Sequence, residues 1–429
     1  MLISLTLKNV LSYAQETTFS MVAGKITKQH MNHVTKIDNL PILRGAIIYG
    51  PNAAGKSNLL KAMGILWAML NIDDCRFAAR NRYMLAPISS SARVMSWKLV
   101  YARNGRVFQY HVETDGAVVL SEKLDLVSDD GIVPLFNRNR MRVRFGGWLE
   151  GSEWLRGRSF RSTGFFLAKI VQDGIFERFA EIEHGELLAD AAYGATNFEV
   201  LHSEASPRVS GLASMLEMDE FKSFLKNLLK VADLGIEDVV WRQCVARESQ
   251  GLFETIARAH EIKENEAHFI ESSGAMWALT MKNGRPVAYE LRFMHHGVLM
   301  RMGDESEGTI RLFRLSLFLY SLRTSDKTWM IDEIDNHLHP YMTRFVLQSF
   351  MDMPETRAQV IATAHDTSLM TQDIWRSDEV WFAEKRPDGS SDLYSLYQYT
   401  PRFDKNLEKG YRQGLYGAIP HIGGEMLHG

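Results

Sequence analysis

The sequence predicts a mixed α/β protein, in which a largely parallel sheet under helices is joined by an antiparallel β subdomain and interrupted by a mostly helical insert. Three observations predict it. Ile42 to Tyr49 is an apolar run holding one Arg and one Gly, the pattern of a strand covered on both faces, and it enters a glycine-rich turn followed by a helical stretch from Ser57 to about Asn71. Two further runs of the same kind, Thr328 to Ile331 and Val360 to Ala364, each end in polar residues. Between the first run and these two, Arg93 to Leu126 has a period close to two, punctuated by Asn104-Gly105, Asp115-Gly116 and Asp129-Asp130-Gly131, which is an antiparallel meander.

The 429 residues leave room for more than one domain, since single cores rarely exceed about 250–300 residues. The expected division is an N-terminal lobe over 1–135, an insert over 136–294, a C-terminal lobe over 295–400 and a tail over 401–429. Cys75 and Cys244 are too few for a disulfide framework or a four-cysteine zinc site, which fits a reducing cytoplasm. Met1 to Val10 has Lys8 inside it and no apolar core of signal length. No window approaches 18 apolar residues; Leu312 to Leu322 contains Arg314 and ends at Arg323, so no membrane role is expected. The formal net charge of −3 neither favours nor excludes nucleic acid.

Met1 to Phe19 alternates and reads as edge strands. The turn after Tyr49 is Gly50-Pro51-Asn52-Ala53-Ala54-Gly55-Lys56-Ser57, followed by Asn58, and it fits the phosphate-binding pattern G-x-x-x-x-G-K-[ST] in its strand–turn–helix setting. Gly50 and Gly55 let backbone N–H groups converge on a triphosphate, and the helix aims its positive end there. Lys56 would reach the β- and γ-phosphates and the Ser57 hydroxyl would ligate Mg²⁺.

Arg138, Arg140, Arg142 and Arg144 fall on one side of a period-two pattern, and Arg156, Arg158 and Arg161 follow with Trp148 and Trp154. Over Arg138 to Arg161 this is either a phosphate-tracking nucleic-acid surface or a solvated strand face. From Phe165 to Leu234 the spacing is helical, carried by Phe166, Ile170, Ile175, Phe179 and Ile182, then Met215, Phe221, Leu225, Leu228 and Leu229, before a β return from Val239 to Leu291.

Asp304-Glu305-Ser306-Glu307-Gly308-Thr309 opens an apolar helix and reads as a second anion site or as an N-cap. Asp332 and Glu333 end a strand: either the first would hold metal and the second accept a proton from, or orient, the attacking water, or they are two solvated acids at a strand end. His365, after the next strand, could read the γ-phosphate or be an ordinary loop histidine.

In this order, and with a long insert after the phosphate loop, these stretches resemble the ABC-like ATPase heads of the RecF, SMC and OLD class. Asp332-Glu333-Ile334-Asp335-Asn336-His337-Leu338-His339-Pro340 and Ala364-His365-Asp366-Thr367-Ser368-Leu369 are similar to AAA-type ATPases of abortive-infection (AbiL-like) loci. So are the tail stretches Val380 to Lys385, Leu393 to Leu396, Leu407 to Tyr411 and Tyr416 to Pro420.

The resemblance implies a P-loop ABC/SMC-type head that binds ATP and Mg²⁺. Glu333 and His365 would be the catalytic residues, Ser57 and Asp332 the metal ligands. Ser306 and Gly308 would come from the opposite protomer of a homodimer, with Asp335 at the interface and Gln109 the candidate for the glutamine that couples metal to insert. OLD-class nucleases carry a C-terminal TOPRIM domain; the stretch after His365, with Asp373, Asp378, Glu379, Asp388 and Asp392, is too short for one, so the resemblance implies a separately encoded effector nuclease or toxin in anti-phage defence. A RecF-like repair ATPase and a nucleotide-gated scaffold with little turnover are the rival readings; a transporter motor lacks so long an insert.

Overall fold

A computed structural model describes residues 1–26, 29–83, 93–128, 130–146, 161–172, 185–201, 216, 218–232, 234–244, 250–259, 262, 267–272, 274–353, 356–399 and 406–419. The chain divides into two compact units. The first joins Met1–Ser203, Ser325–Ile334 and Leu347–Gly429; the second joins Glu204–Thr324 and Asp335–Val346.

The first unit opens with β1 (Leu2–Lys8) and β2 (Thr17–Ser20), then the small hairpin β3 (Val34–Ile37) and β4 (Leu40–Leu43). The expected single strand over Ile42 to Tyr49 is broken at Arg44, where the chain leaves its pairing with β3 and joins a different sheet; the buried Arg44 guanidinium donates to the carbonyls of Asn32, Phe350 and Met351. β5 (Gly45–Tyr49) follows and leads through the phosphate loop into α1 (Lys56–Ile72). This helix buries residues on several faces, from Leu59 and Leu60 to Met69 and Leu70, as a helix enclosed by protein must.

Next comes the meander: β6 (Met95–Arg103), β7 (Arg106–Thr114), β8 (Val119–Ser128), β9 (Gly131–Asn139) and β10 (Arg142–Phe145). With β1 and β2 it makes a seven-stranded sheet in the order β10-β9-β8-β7-β6-β1-β2. Met95, Trp97, Leu99 and Tyr101 alternate inward along β6, and the Trp97 indole N–H donates to Ala62 O at 3.0 Å, tying sheet to α1.

The basic run is corrected here. It is a hairpin, with Arg140 at φ 49° in the turn, so its arginines do not share one strand face. Arg138 is fully buried, where it donates to Glu122 at 3.0 Å and to the carbonyls of Arg140, Gly164 and Arg161. Glu122 also accepts from the Tyr110 hydroxyl and from the backbone N–H groups of Phe166 and Leu167, at 2.8–2.9 Å. A cation committed to a buried carboxylate cannot track phosphates. Trp148, Trp154, Arg156 and Arg158 lie outside the described residues.

After α2 (Phe166–Gln172) and α3 (Gly185–Thr196) comes β11 (Phe198–Leu201), inside the stretch whose spacing reads as helical. Its buried ends, Phe198 and Leu201, are three apart, which satisfies a helix period as well as a short edge strand. Ile175, Phe179, Ile182 and Met215 lie outside the described residues.

The second unit holds α4 (Asp219–Val231), β12 (Asp238–Gln243), α5 (Gln250–Ala259), β13 (Ala267–Ser272), β14 (Ala275–Lys282), β15 (Arg285–His295), β16 (Val298–Arg301) and α6 (Glu307–Thr324). Phe221, Leu225, Leu228 and Leu229 line the buried stripe of α4, and the strands form an antiparallel sheet in the order β12-β15-β14-β13, with β16 on β15.

The chain then supplies β17 (Thr328–Ile331), α7 (Pro340–Met351), β18 (Gln359–Thr363), β19 (Val380–Lys385), β20 (Ser391–Ser395) and α8 (Leu407–Arg412). The six-stranded sheet runs β11-β17-β18-β5-β19-β20, parallel except for β20. β17, β18 and β5 are buried at every position, as expected for strands covered on both faces. Buried Gln359 ties this sheet to the other, donating to Leu2 O and Leu43 O and accepting from Thr328 Oγ1. Among the described residues no helix is long and apolar enough to cross a membrane.

Candidate functional site

In an open parallel sheet, ligands bind beyond the carboxyl ends of the strands, where chain direction switches sides. β5, β17 and β18 are neighbours there, and their carboxyl ends carry the loop at 50–57, Asp332-Glu333 and His365 respectively.

The loop is shaped by two glycines. Gly50, at φ 146°, would place a Cβ 2.2 Å from Ala383 O; Gly55, at φ 113°, would place one 2.2 Å from Ser391 Oγ. Neither position admits a side chain. Pro51, Asn52 and Ala53 form the accessible crest, with Ala53 in the left-handed region at φ 61°, while Ala54 is buried beneath them. Tyr13 steadies the loop from behind by donating its hydroxyl to Gly55 O at 2.9 Å, and Asn58 Nδ2 donates to Ser12 Oγ at 2.8 Å. No side chain caps α1 at Gly55, which leaves the first-turn N–H groups for an anion. Lys56 Nζ donates to Gly50 O at 2.7 Å and Pro51 O at 3.2 Å, folding over the loop where phosphate oxygens would compete for it.

The carboxylate behind the loop is Asp332, 5 % exposed. Its Oδ1 accepts from Ser57 Oγ at 2.9 Å and from Thr363 Oγ1 at 2.7 Å, and its own N–H donates to Leu201 O at 2.8 Å. Thr363 Oγ1 accepts the Glu333 N–H at 2.8 Å, and Glu333, at φ 49°, has its carboxylate 3.7 Å from His365 Nε2. The Glu333 and His365 side chains are 35 % and 42 % exposed, so solvent and ligand reach both. Ser57, Asp332, Glu333 and His365 are therefore brought together, across 275 residues of sequence between the first two. Ser57 and Asp332 offer hard oxygen donors of the kind Mg²⁺ takes when phosphates and water complete its shell.

Thr363, Ser12, Tyr13 and Ser391 were missed from sequence. Only Thr363 left a signal, as a hydroxyl residue at a buried strand's carboxyl end. Gln109 lies on β7 and donates to Asp125 Oδ2 on β8 at 3.4 Å.

In the second unit, Ser306 Oγ accepts the Thr309 N–H at 3.0 Å and bonds the Thr309 hydroxyl at 2.8 Å, so it caps α6. Glu305 pairs with His295 and Glu307 with His337, each at 2.7 Å. Gly308 faces His337 O so closely that a Cβ would stand 2.9 Å from it, and Asp335 O accepts the Leu338 N–H at 3.2 Å. Of the tail acids, Asp378 pairs with Arg376 in the interior and Glu379 with His33.

Residues 183–371 match the family described as "AAA domain, putative AbiEii toxin, Type IV TA system". Over that stretch, less than half of its length, the chain is similar to AAA-type domains. The matched residues take in Ser306, Asp332, Glu333 and His365, and the phosphate loop precedes them. No curated protein matches the chain.

Solved structures similar to it include the SMC head domain from Thermotoga maritima, at 13 % identity and TM-score 0.41 over 92 % of this chain and 98 % of that one. An SMC head bound to the C-winged helix domain of ScpA is 15 % identical, with TM-score 0.43 over 92 % and 97 %. An SMC head with an extended coiled coil bound to the C-terminal domain of ScpA, from Pyrococcus furiosus, is 13 % identical, with TM-score 0.39 over 93 % and 97 %. The fold argument rests on the strand order and the loop between β5 and α1, which make the α/β P-loop class predicted from sequence.

Proposed function

We propose that this protein is an AAA-type ATPase that hydrolyses ATP, closes as a homodimer around it, and acts as a sensor and switch for a separately encoded nuclease or toxin in anti-phage defence. The observation that carries the reading is the hydrogen-bonded chain Ser57–Asp332–Thr363–Glu333 behind the phosphate loop. It holds the Asp332 carboxylate for a cation and fixes the backbone of Glu333, whose carboxylate would face a water.

Lys56 and the N–H groups around it bind the triphosphate. Ser57 and Asp332 would hold Mg²⁺, which would supply charge neutralisation at the phosphates. Glu333 takes a proton from the attacking water and His365 reports on the γ-phosphate. Ser306 and Gly308, at the start of α6, complete the site from the opposite protomer. The family description, with its toxin and toxin–antitoxin terms, supports the defence assignment.

Glu333→Gln tests this. The variant should keep ATP uptake, lose phosphate release by about 10²-fold or more as expected for a positioned general base, and accumulate as an ATP-bound dimer in sedimentation. Hydrolysis at the wild-type rate would remove Glu333 from its role, and a monomer with trapped ATP would remove dimer closure.

A further inference from the structure

We propose that the C-terminal segment Asn406–Ile419 positions the loop that reads the γ-phosphate, with Thr367, Glu408 and Arg412 as its positioning residues; this rests on the role given to His365 above. Thr367 lies two residues beyond His365. Its hydroxyl donates to Glu408 Oε1 at 3.1 Å and accepts from Arg412 Nε at 3.2 Å and Nη2 at 3.0 Å. A threonine hydroxyl has one donor and two acceptor sites, so every site is used and the rotor is fixed. Asp366 caps the short turn Thr367–Leu369 through the Ser368 N–H at 2.9 Å, and Leu369 and Met370 anchor it in the core.

The tail that supplies these groups is itself held. Asn406 caps α8 through the Lys409 N–H, and the Tyr411 hydroxyl donates to Ala418 O at 2.7 Å. The Tyr411 ring stacks on Phe382 at 5.4 Å and stands 6.3 Å from Tyr49, the residue before Gly50. One short helix therefore touches the chain just before the phosphate loop and just after the sensing histidine. A change at the γ-phosphate that moves one relative to the other must load α8.

Arg412 is 67 % exposed and paired with Glu408 at 2.8 Å. Exposed ion pairs contribute little to global stability, so its substitution separates positioning from folding. Arg412→Ala and Thr367→Val should each lower kcat about tenfold, the rate equivalent of one hydrogen bond, while melting temperature and ATP affinity by calorimetry stay unchanged. Thr367→Ser should restore the rate. Arg412→Lys should restore little, since an ammonium cannot present the guanidinium's two N–H groups to one oxygen.

Amide hydrogen exchange reads the same contact without turnover: Arg412→Ala should speed exchange over 365–370 and leave 45–49 protected. Both variants keeping wild-type kcat and wild-type exchange would overturn the proposal. If the wild-type protein binds ATP but does not turn it over, the hydrolysis reading fails, and the exchange pattern alone decides whether the tail holds the loop.

Discussion

Thr363→Val replaces a hydroxyl by a methyl of nearly the same size at a site with no exposure, so shape is kept and only two hydrogen bonds are lost. The bond to the Asp332 carboxylate, at 2.7 Å, is charge-assisted and contributes about 1.5–3 kcal/mol. The Glu333 N–H, left without its 2.8 Å acceptor, adds a desolvation penalty of about 1–3 kcal/mol. The two together come to about 2.5–6 kcal/mol, and at about 2–4 °C per kcal/mol for a large unit the melting temperature should fall by about 10 °C. Loss of the bond that orients Asp332 should also lower kcat by about 10- to 100-fold, at tenfold per 1.4 kcal/mol. Thermal melting and phosphate release, run on Thr363→Val beside Thr363→Ser, give both numbers, and the serine variant should track the wild type. A valine variant that melts and hydrolyses like the parent would show that Asp332 and Glu333 are oriented by something else.

Arg138→Met should destabilise the first unit by about 3–5 kcal/mol in denaturant melts, because it strands the Glu122 carboxylate in the interior, and adding Glu122→Gln should recover part of that. An unchanged midpoint would favour a surface role for this arginine. His33, buried against Glu379, is pushed down to about 4 by burial and by the neighbouring Arg44 and Arg376, so the unfolded chain takes up the proton first as pH falls. Stability contributed by neutral His33 is whole above about 6.5 and drains away as pH drops towards 4, by up to about 3 kcal/mol. His33→Asn should therefore gain on the wild type across that window; parallel pH profiles would refute the assignment.

The phosphate-loop half of the candidate site was legible because its geometry is local. The span Gly50 to Ser57 carries its own geometry, and Asp332-Glu333 and His365 each follow an apolar run that only a buried strand explains. What was not legible depends on partners far away in sequence. Period-two spacing cannot tell a solvated arginine from Arg138, whose carboxylate is contributed by another strand. Phe198 to Leu201 is too short for its period to distinguish strand from helix, and only its pairing with Thr328 to Ile331 decides. Tyr13 and Ser391 carry no motif, yet one donates to the loop at Gly55 and the other fills the place a side chain there would take.

β5 has β18 on one side and β19 on the other, both encoded more than three hundred residues after it. While the chain is being synthesised, at about 5–20 residues per second, the strand leading into the phosphate loop waits roughly 15–60 s for either neighbour. A nascent or prematurely terminated copy thus carries the most recognisable motif in the sequence with no sheet to mount it on. The phosphate loop therefore gains its two neighbouring strands only after β18 and β19 have been made.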